Sequence, residues 1–469
     1  MDYSSANGGL WNMFVHLGVI AGLLLLGSIL NRKVRWIRAS LMPVSALAGL
    51  LLLILRNTGI VELPVGVLEM ITYHGIALGF IALSLRTSKE NRGGTYAFKS
   101  GALIVSTYLM QALAGLAISV LLAYTFMPGM FKAAGILLPM AYGQGPGQAN
   151  NVGSTYEALG FAGGRSFALS LAASGYVSAC LVGLWYTRYL VRKKGYQKTD
   201  GQAVSGSVTL DVFQDENEVP MEESVDRLST QMALVLLTYL LTYLVTLGFT
   251  SLITTAAPGL ARTLTPLLWG FNFITASAVA MAVGAVLKRL RMKKVMTRQY
   301  QNNYLLNRIS GLAFDLMIVA GIASINISDL RGLWLPFALM SLTGALTTFI
   351  FVRRLTRSLT PDFAEESFVA MYGMLTGTIS SGILLLRQID PLYKTPAADQ
   401  LVIGSGTGIL FGAPMLILIG FAPQSEAMLL LTIALSAIYL GILMAFVLGY
   451  RPKWLKKAKA MATSPEKGD

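Results

Sequence analysis

Apolar runs long enough to span a bilayer recur along this chain, and clusters of Lys and Arg separate them. A helix needs roughly 20 apolar residues to cross a hydrocarbon core. Backbone polar groups at that depth must be paired within the structure, so runs of this kind have to be helical. The first half gives spans near 10–31, 40–56, 64–85, 100–126 and 165–190, with a broken apolar segment at 131–157. The second half gives spans near 228–256, 264–287, 305–326, 332–352 and 400–422, a broken segment at 364–388, and a last span near 427–449. Over 469 residues, 54% hydrophobic and 13% charged content excludes an ordinary soluble domain.

Charge orients these spans. Of the 37 Lys and Arg, all but Arg56, Lys132, Arg165, Arg262 and Arg331 fall on one side of the expected topology. That is the positive-inside bias, with the N-terminus outside and the C-terminus cytoplasmic. The net charge of +14 therefore points to anionic membrane lipid as a partner and not to nucleic acid. The apolar stretch 10–30 has its basic residues after it (Arg32, Lys33, Arg35, Arg38), the reverse of a signal peptide, and reads as the first span. A multi-pass protein of a bacterial inner (plasma) membrane is the expected location.

For the basic clusters to stay inside, segment 131–157 must enter and leave on the outer side, and 364–388 on the inner side. Both then become re-entrant hairpins. The expected fold is an all-α polytopic membrane protein, an inverted-topology repeat of two five-helix halves each with a re-entrant hairpin, plus an extra C-terminal transmembrane helix. Residues 1–191 form the N-terminal repeat and 228–424 the inverted one. Between them 192–227 is a cytoplasmic acidic linker with Asp211, Asp215, Glu216, Glu218, Glu222, Glu223 and Asp226. Residues 425–469 hold the last helix and a basic tail, where Trp454, Lys456 and Lys457 read as an interfacial anchor.

Each broken segment carries the phrase Tyr-Gly-x-x-x-Gly, at Tyr142-Gly143 to Gly147 and at Tyr372-Gly373 to Gly377. Paired Gly-interrupted apolar segments in two halves mark the binding site of a transporter. A hairpin turning at mid-depth leaves helix ends there, and an N-terminal end offers N–H groups and positive dipole to an anion such as a carboxylate. Candidate binding residues are Gly143, Gln144, Gly145, Gly147, Gln148, Asn150 and Asn151 at the first tip. At the second they are Gly373, Thr376, Gly377, Thr378, Ser380 and Ser381. Asn150, Ser380 and Ser381 are of helix N-cap type. Side-chain oxygens of Gln144, Gln148, Thr376 and Thr378, with unwound carbonyls, could ligate sodium without a fixed charge. Against this stands the plainer reading that the glycines let helices pack closely.

Ionisable residues within spans are functional candidates. Asp315 sits among apolar residues and either binds a cation or an amino group, or ties helices together. Glu69 and His74 share the third span, where proton coupling competes with an interfacial place for Glu69. Gly404-Ser405-Gly406-Thr407-Gly408 lacks the Lys of a phosphate loop and reads as helix packing. A lone cysteine, Cys180, allows no intrachain disulfide. No nucleophile–base pair, metal-ligand cluster or cofactor fingerprint is visible. No catalytic residue, resident metal or organic cofactor is expected, and an enzyme is not the reading. A channel would need a continuous polar pore.

The order of residues resembles the bacterial sodium/glutamate symporter family. The likeness lies in Met42-Pro43-Val44, in Ile81-Ala82-Leu83-Ser84-Leu85-Arg86, in Phe351-Val352-Arg353-Arg354 and in the placing of both hairpins. It is weakest at the N-terminus, the central linker and the last span. The family is similar to other two-hairpin carriers, including those for 2-hydroxycarboxylates. What the resemblance implies is a homodimer with a scaffold and an elevator-like mobile domain, in which sodium entry drives glutamate uptake. Members carry a Gly-Gly-His-Gly run at the first tip, where this chain reads Gly143-Gln144-Gly145-Pro146-Gly147, and a denser glycine pattern at the second. The alternative expectation is therefore a sodium- or proton-coupled carrier for another small carboxylate, a dicarboxylate or 2-hydroxycarboxylate.

Overall fold

The computed structural model describes residues 7–86, 95–194, 221–258, 272–296, 300–390 and 395–449, with positions 4, 261, 265 and 268–270 besides. Most of the acidic linker and the basic tail with Trp454, Lys456 and Lys457 lie outside the described residues. All regular elements among the described residues are helical, and ten helices are long and apolar enough to cross a membrane. The chain is thus an all-α, multi-pass membrane protein.

In the first half, α1 (Gly8–Lys33) leads through a short α2 (Arg35–Ser40) to α3 (Val44–Asn57), α4 (Val65–Ser84) and α5 (Thr95–Tyr124). Prolines set two of these starts: Pro43 and Pro64 stand just before α3 and α4, where a missing N–H costs nothing. The first hairpin follows. Its rising arm is a 3₁₀ turn (Lys132–Ile136) and a π-helical turn (Pro139–Gly143), and its returning arm is α6 (Pro146–Ala158). Then come α7 (Gly164–Ser178) and, after a π-helical turn, α8 (Leu184–Lys194).

The second half holds α9 (Met221–Ala256), α10 (Asn272–Met292), α11 (Asn303–Ala323) and α12 (Trp334–Leu359). The second hairpin is α13 (Ala364–Thr376) with α14 (Ile379–Leu386), and α15 (Ala397–Phe421) and α16 (Glu426–Val447) complete the chain. Helix α9 starts before the expected span, so Glu222, Glu223 and Asp226 stand on its first turns and not in the linker. Its 36 residues reach about 54 Å, well beyond a hydrocarbon core of about 30 Å.

Packing divides these helices into two blocks. One contains α1, α3, α4, α9, α10 and α11, with its most extensive contact between α4 and α11. The other contains α5, both hairpins, α7, α8, α12, α15 and α16. The blocks meet chiefly where α6 lies on α4 and α11 and where α7 lies on α11. Contacts also exchange between halves: α1 on α3 is matched by α9 on α10, α3 on α11 by α10 on α4, and α5 on α15 by α12 on α7. The counterparts α4 and α11 run antiparallel, since Gly75 lies against Ala313 and Met317 while Leu85 O accepts from Gln301 Nε2 near the other end.

Small residues permit these approaches. A Cβ at Gly115 of α5 would stand 3.0 Å from both Cα and C of Gly135 in the rising hairpin arm, so the two backbones touch. The Ser119 hydroxyl reinforces the seam, donating to Lys132 O at 2.7 Å. The stretch from Gly404 to Gly408 is interior to α15 and packs on α5, where Thr407 Oγ1 donates to Ala97 O at 2.8 Å. It is a packing surface, as expected.

Gly135→Val should therefore force a side chain into the α5 backbone and lower stability by about 3 kcal/mol. Gly22→Ala, where a Cβ meets nothing within 4 Å, should melt with the wild type. Thermal unfolding of both purified variants in detergent checks this, and equal melting points would refute the backbone seam.

Candidate functional site

The two hairpins turn toward each other inside the protein. Gly145 caps α6 with φ +82°, a conformation that favours glycine, and Pro146 follows as the first helical residue. Thr378, in extended conformation, caps α14. A Cβ on Gly145 would lie 3.6 Å from Gly377 O and 3.7 Å from Thr378 Cγ2, so the tips are in contact. The N-terminal ends of α6 and α14 thus both start at this meeting point. Neither cap makes a side-chain hydrogen bond to its helix.

This corrects the expected caps. Asn150 stands one turn into α6, and Ser380 and Ser381 stand in the first turn of α14; none of the three is an N-cap. The local preference of Asn and Ser for capping loses to the backbone geometry of Gly145-Pro146 and to the extended Thr378. The repeated Tyr-Gly phrase is also out of register with the tips. From Tyr142 to its cap is one helical turn, and from Tyr372 to its cap nearly two. Gly143 packs against Tyr108 and Gln111 of α5, whereas Gly373 packs against Gly382 of its own returning arm.

Polar atoms without partners concentrate around the tips. Gln148 is 1% exposed, and neither its Oε1 nor its Nε2 has a hydrogen-bond partner. Asn150 Oδ1, Asn151 Nδ2 and Ser381 Oγ are buried and unpartnered as well, while the Thr378 and Tyr176 hydroxyls are buried facing each other. Burying a polar atom without a partner costs about 1–3 kcal/mol, so a group of them close together is unusual in a packed interior. Thr376 does not join this set, because its hydroxyl donates back to Tyr372 O at 2.8 Å. Gln144 is half-buried, Gly147 lies against Ile76 and Met317, and Ser380 is exposed.

Several contributors were missed from the sequence. Gln111 of α5 braces the second tip, donating to Leu375 O at 2.9 Å and to Thr348 Oγ1 at 2.8 Å. Its lone amide within an apolar span was the available signal. Tyr176 of α7 faces Thr378, and nothing in its local sequence distinguishes it. Tyr142 donates to Ser341 O of α12 at 2.8 Å, which anchors the rising arm of the first hairpin.

The three ionisable candidates separate. Asp315 of α11 is accessible and faces the Ser45 hydroxyl at the start of α3. Glu69 and His74 both line a cavity of about 790 Å³, whose wall also holds Asn150, Asn151 and Thr155. Within it they do not pair: Glu69 forms an ion pair with Arg165 of α7, and His74 Nδ1 bonds the Tyr239 hydroxyl of α9 at 2.6 Å. The Arg165 main-chain N–H is in turn held by Glu157 at the end of α6, at 3.0 Å.

The Glu69–Arg165 pair crosses between the two blocks, from the wall of this cavity to α7. A partly exposed pair contributes up to about 1 kcal/mol, a population factor of about five. In a Cys180→Ser background, Thr155→Cys should be labelled by a soluble maleimide about two- to fivefold more slowly once Glu69→Gln is added. The charge-exchanged double variant Glu69→Arg/Arg165→Glu should recover part of the rate. Unchanged labelling would show that the pair does not govern the cavity. A scan against protein-family models finds no match for this chain, and a search of curated proteins finds no similar sequence.

Proposed function

We propose that this protein is a secondary active transporter that takes up a small carboxylate, glutamate by preference, driven by sodium. The observation that carries the reading is the meeting of two half-helix N-terminal ends inside the protein, ringed by buried amides and hydroxyls without partners. Such ends favour an anionic group. Unwound carbonyls beside Gly145 and Gly377 with the Thr378 hydroxyl supply neutral oxygens of the kind that sodium accepts.

The two-block packing supports an elevator-like motion, with the hairpin block sliding against the α4–α11 block. The exchange of contacts between halves and the antiparallel course of α4 and α11 support an inverted repeat. On this reading the protein is a sodium/glutamate symporter, a homodimer in a bacterial inner membrane, with its N-terminus outside, its C-terminus inside and no enzymatic step. Tips that stop against each other favour alternating access over a continuous pore.

The test is uptake of labelled L-glutamate by proteoliposomes with and without an inward sodium gradient. Sodium-driven accumulation that unlabelled glutamate competes away is the expected result. Gly147→Leu should fall below about a tenth of the wild-type rate, since a Cβ there already lies 2.7 Å from Met317 Sδ and 3.1 Å from Ile76 Cβ. Gly377→Leu should do the same, with Ser381 Oγ at 2.8 Å from its Cβ. Asp315→Asn should weaken sodium dependence or solute affinity. Uptake of a dicarboxylate or 2-hydroxycarboxylate in place of glutamate would keep the transport mechanism and change the solute. Sodium-independent leakage through the wild type would overturn it.

A further inference from the structure

The cavity beside the first hairpin is walled by both blocks. On the hairpin side stand Asn150 and Asn151 of α6, 4% and 5% exposed, with Asn150 Oδ1 and Asn151 Nδ2 unpartnered. The facing wall on α4 is carried by His74, whose Nδ1 is engaged by the Tyr239 hydroxyl at 2.6 Å. Tyr239 is itself fixed from α10, where Asn272 Nδ2 donates to the phenol oxygen at 3.2 Å. The neighbouring Tyr73 is also tied down, its hydroxyl donating to Trp269 O at 2.6 Å.

The phenol oxygen accepts from Asn272, and its own hydrogen is free to be donated to His74 Nδ1. A ring that accepts at Nδ1 carries its proton at Nε2. In that arrangement the ring, which lines the cavity, is a single N–H donor. Across from it lie one amide donor, Asn151 Nδ2, and one amide acceptor, Asn150 Oδ1.

We infer that His74 is the solute-selecting hydrogen-bond donor of this cavity, set in its Nε2–H form by Tyr239 and Asn272. The class of solute it fits is a carboxylate that also carries a neighbouring hydrogen-bond donor, an amino or hydroxyl group for Asn150. Tyr239 is a positioning residue that acts through the ring. This rests on the transport reading and adds to it a contact from the block that does not contain the hairpins. A site built to donate to an acceptor discriminates strongly against solutes lacking one, because its own polar group is then left unpaired.

The experiment measures KM and maximal rate of carboxylate uptake in proteoliposomes for wild type, His74→Gln, His74→Leu and Tyr239→Phe. His74→Leu should raise KM by about tenfold or more with the maximal rate within about twofold. His74→Gln, which restores an N–H donor, should stay within about threefold of wild type. Tyr239→Phe should fall between them, because the ring is still present but its tautomer is no longer held. An unchanged KM in His74→Leu, or equal damage in His74→Gln and His74→Leu, overturns the role. Failure of the wild type to take up any carboxylate would instead remove the transport reading itself, and the assignment of His74 with it. The two failures are distinct, since one is seen in the variants alone and the other in the parent protein.

Discussion

Everything in this molecule is arranged around broken backbone at membrane depth. Hydrocarbon offers no hydrogen bonds, so an interrupted helix can exist there only if protein encloses its ends. Here two interruptions, at Gly145 and at Thr378, are brought against each other and enclosed by α5, α7, α11 and α12. The enclosure needs close helix approach, which explains why glycines face backbone at Gly115 and Gly135. It also explains the full burial of Gln111, whose amide reaches the Leu375 carbonyl at the tip. What protein side chains do not satisfy is left as a set of unpartnered amides and hydroxyls beside the tips.

The ionisable groups near the tips lie apart. Glu69 and His74 line the cavity that Asn150 and Asn151 also line. Asp315 faces Ser45 at the start of α3 and is not among the residues lining that cavity. The pair Glu69–Arg165 links the two blocks by charge.

The fold was largely legible in the sequence. Long apolar runs, basic clusters, the Gly and Pro content of 131–157 and the glycines of 364–388 located nearly every element, because membrane insertion depends on these same quantities. Site chemistry was less legible. Cap preference misplaced the helix starts at Asn150, Ser380 and Ser381, since it weighs a side chain's local bonding and not a glycine's φ. Tyr176, Tyr239 and Asn272 gave no signal, because each matters only through a partner brought from another part of the chain. Asp315, Glu69 and His74 were visible as charges out of place, but their separation is a tertiary fact.

The interleaving of the blocks has a consequence for how the protein is made. Each block draws helices from both halves, so the main partner of α4 is α11 and that of α5 is α15. At common synthesis rates these partners leave the ribosome on the order of ten seconds or more apart. During that interval the glycine faces of α4 and the amide of Gln111 have no protein to cover them. The first half can already form its own contacts, α1 on α3, α6 on α7 and α5 on the first hairpin, but it must wait for the second half before either block is complete.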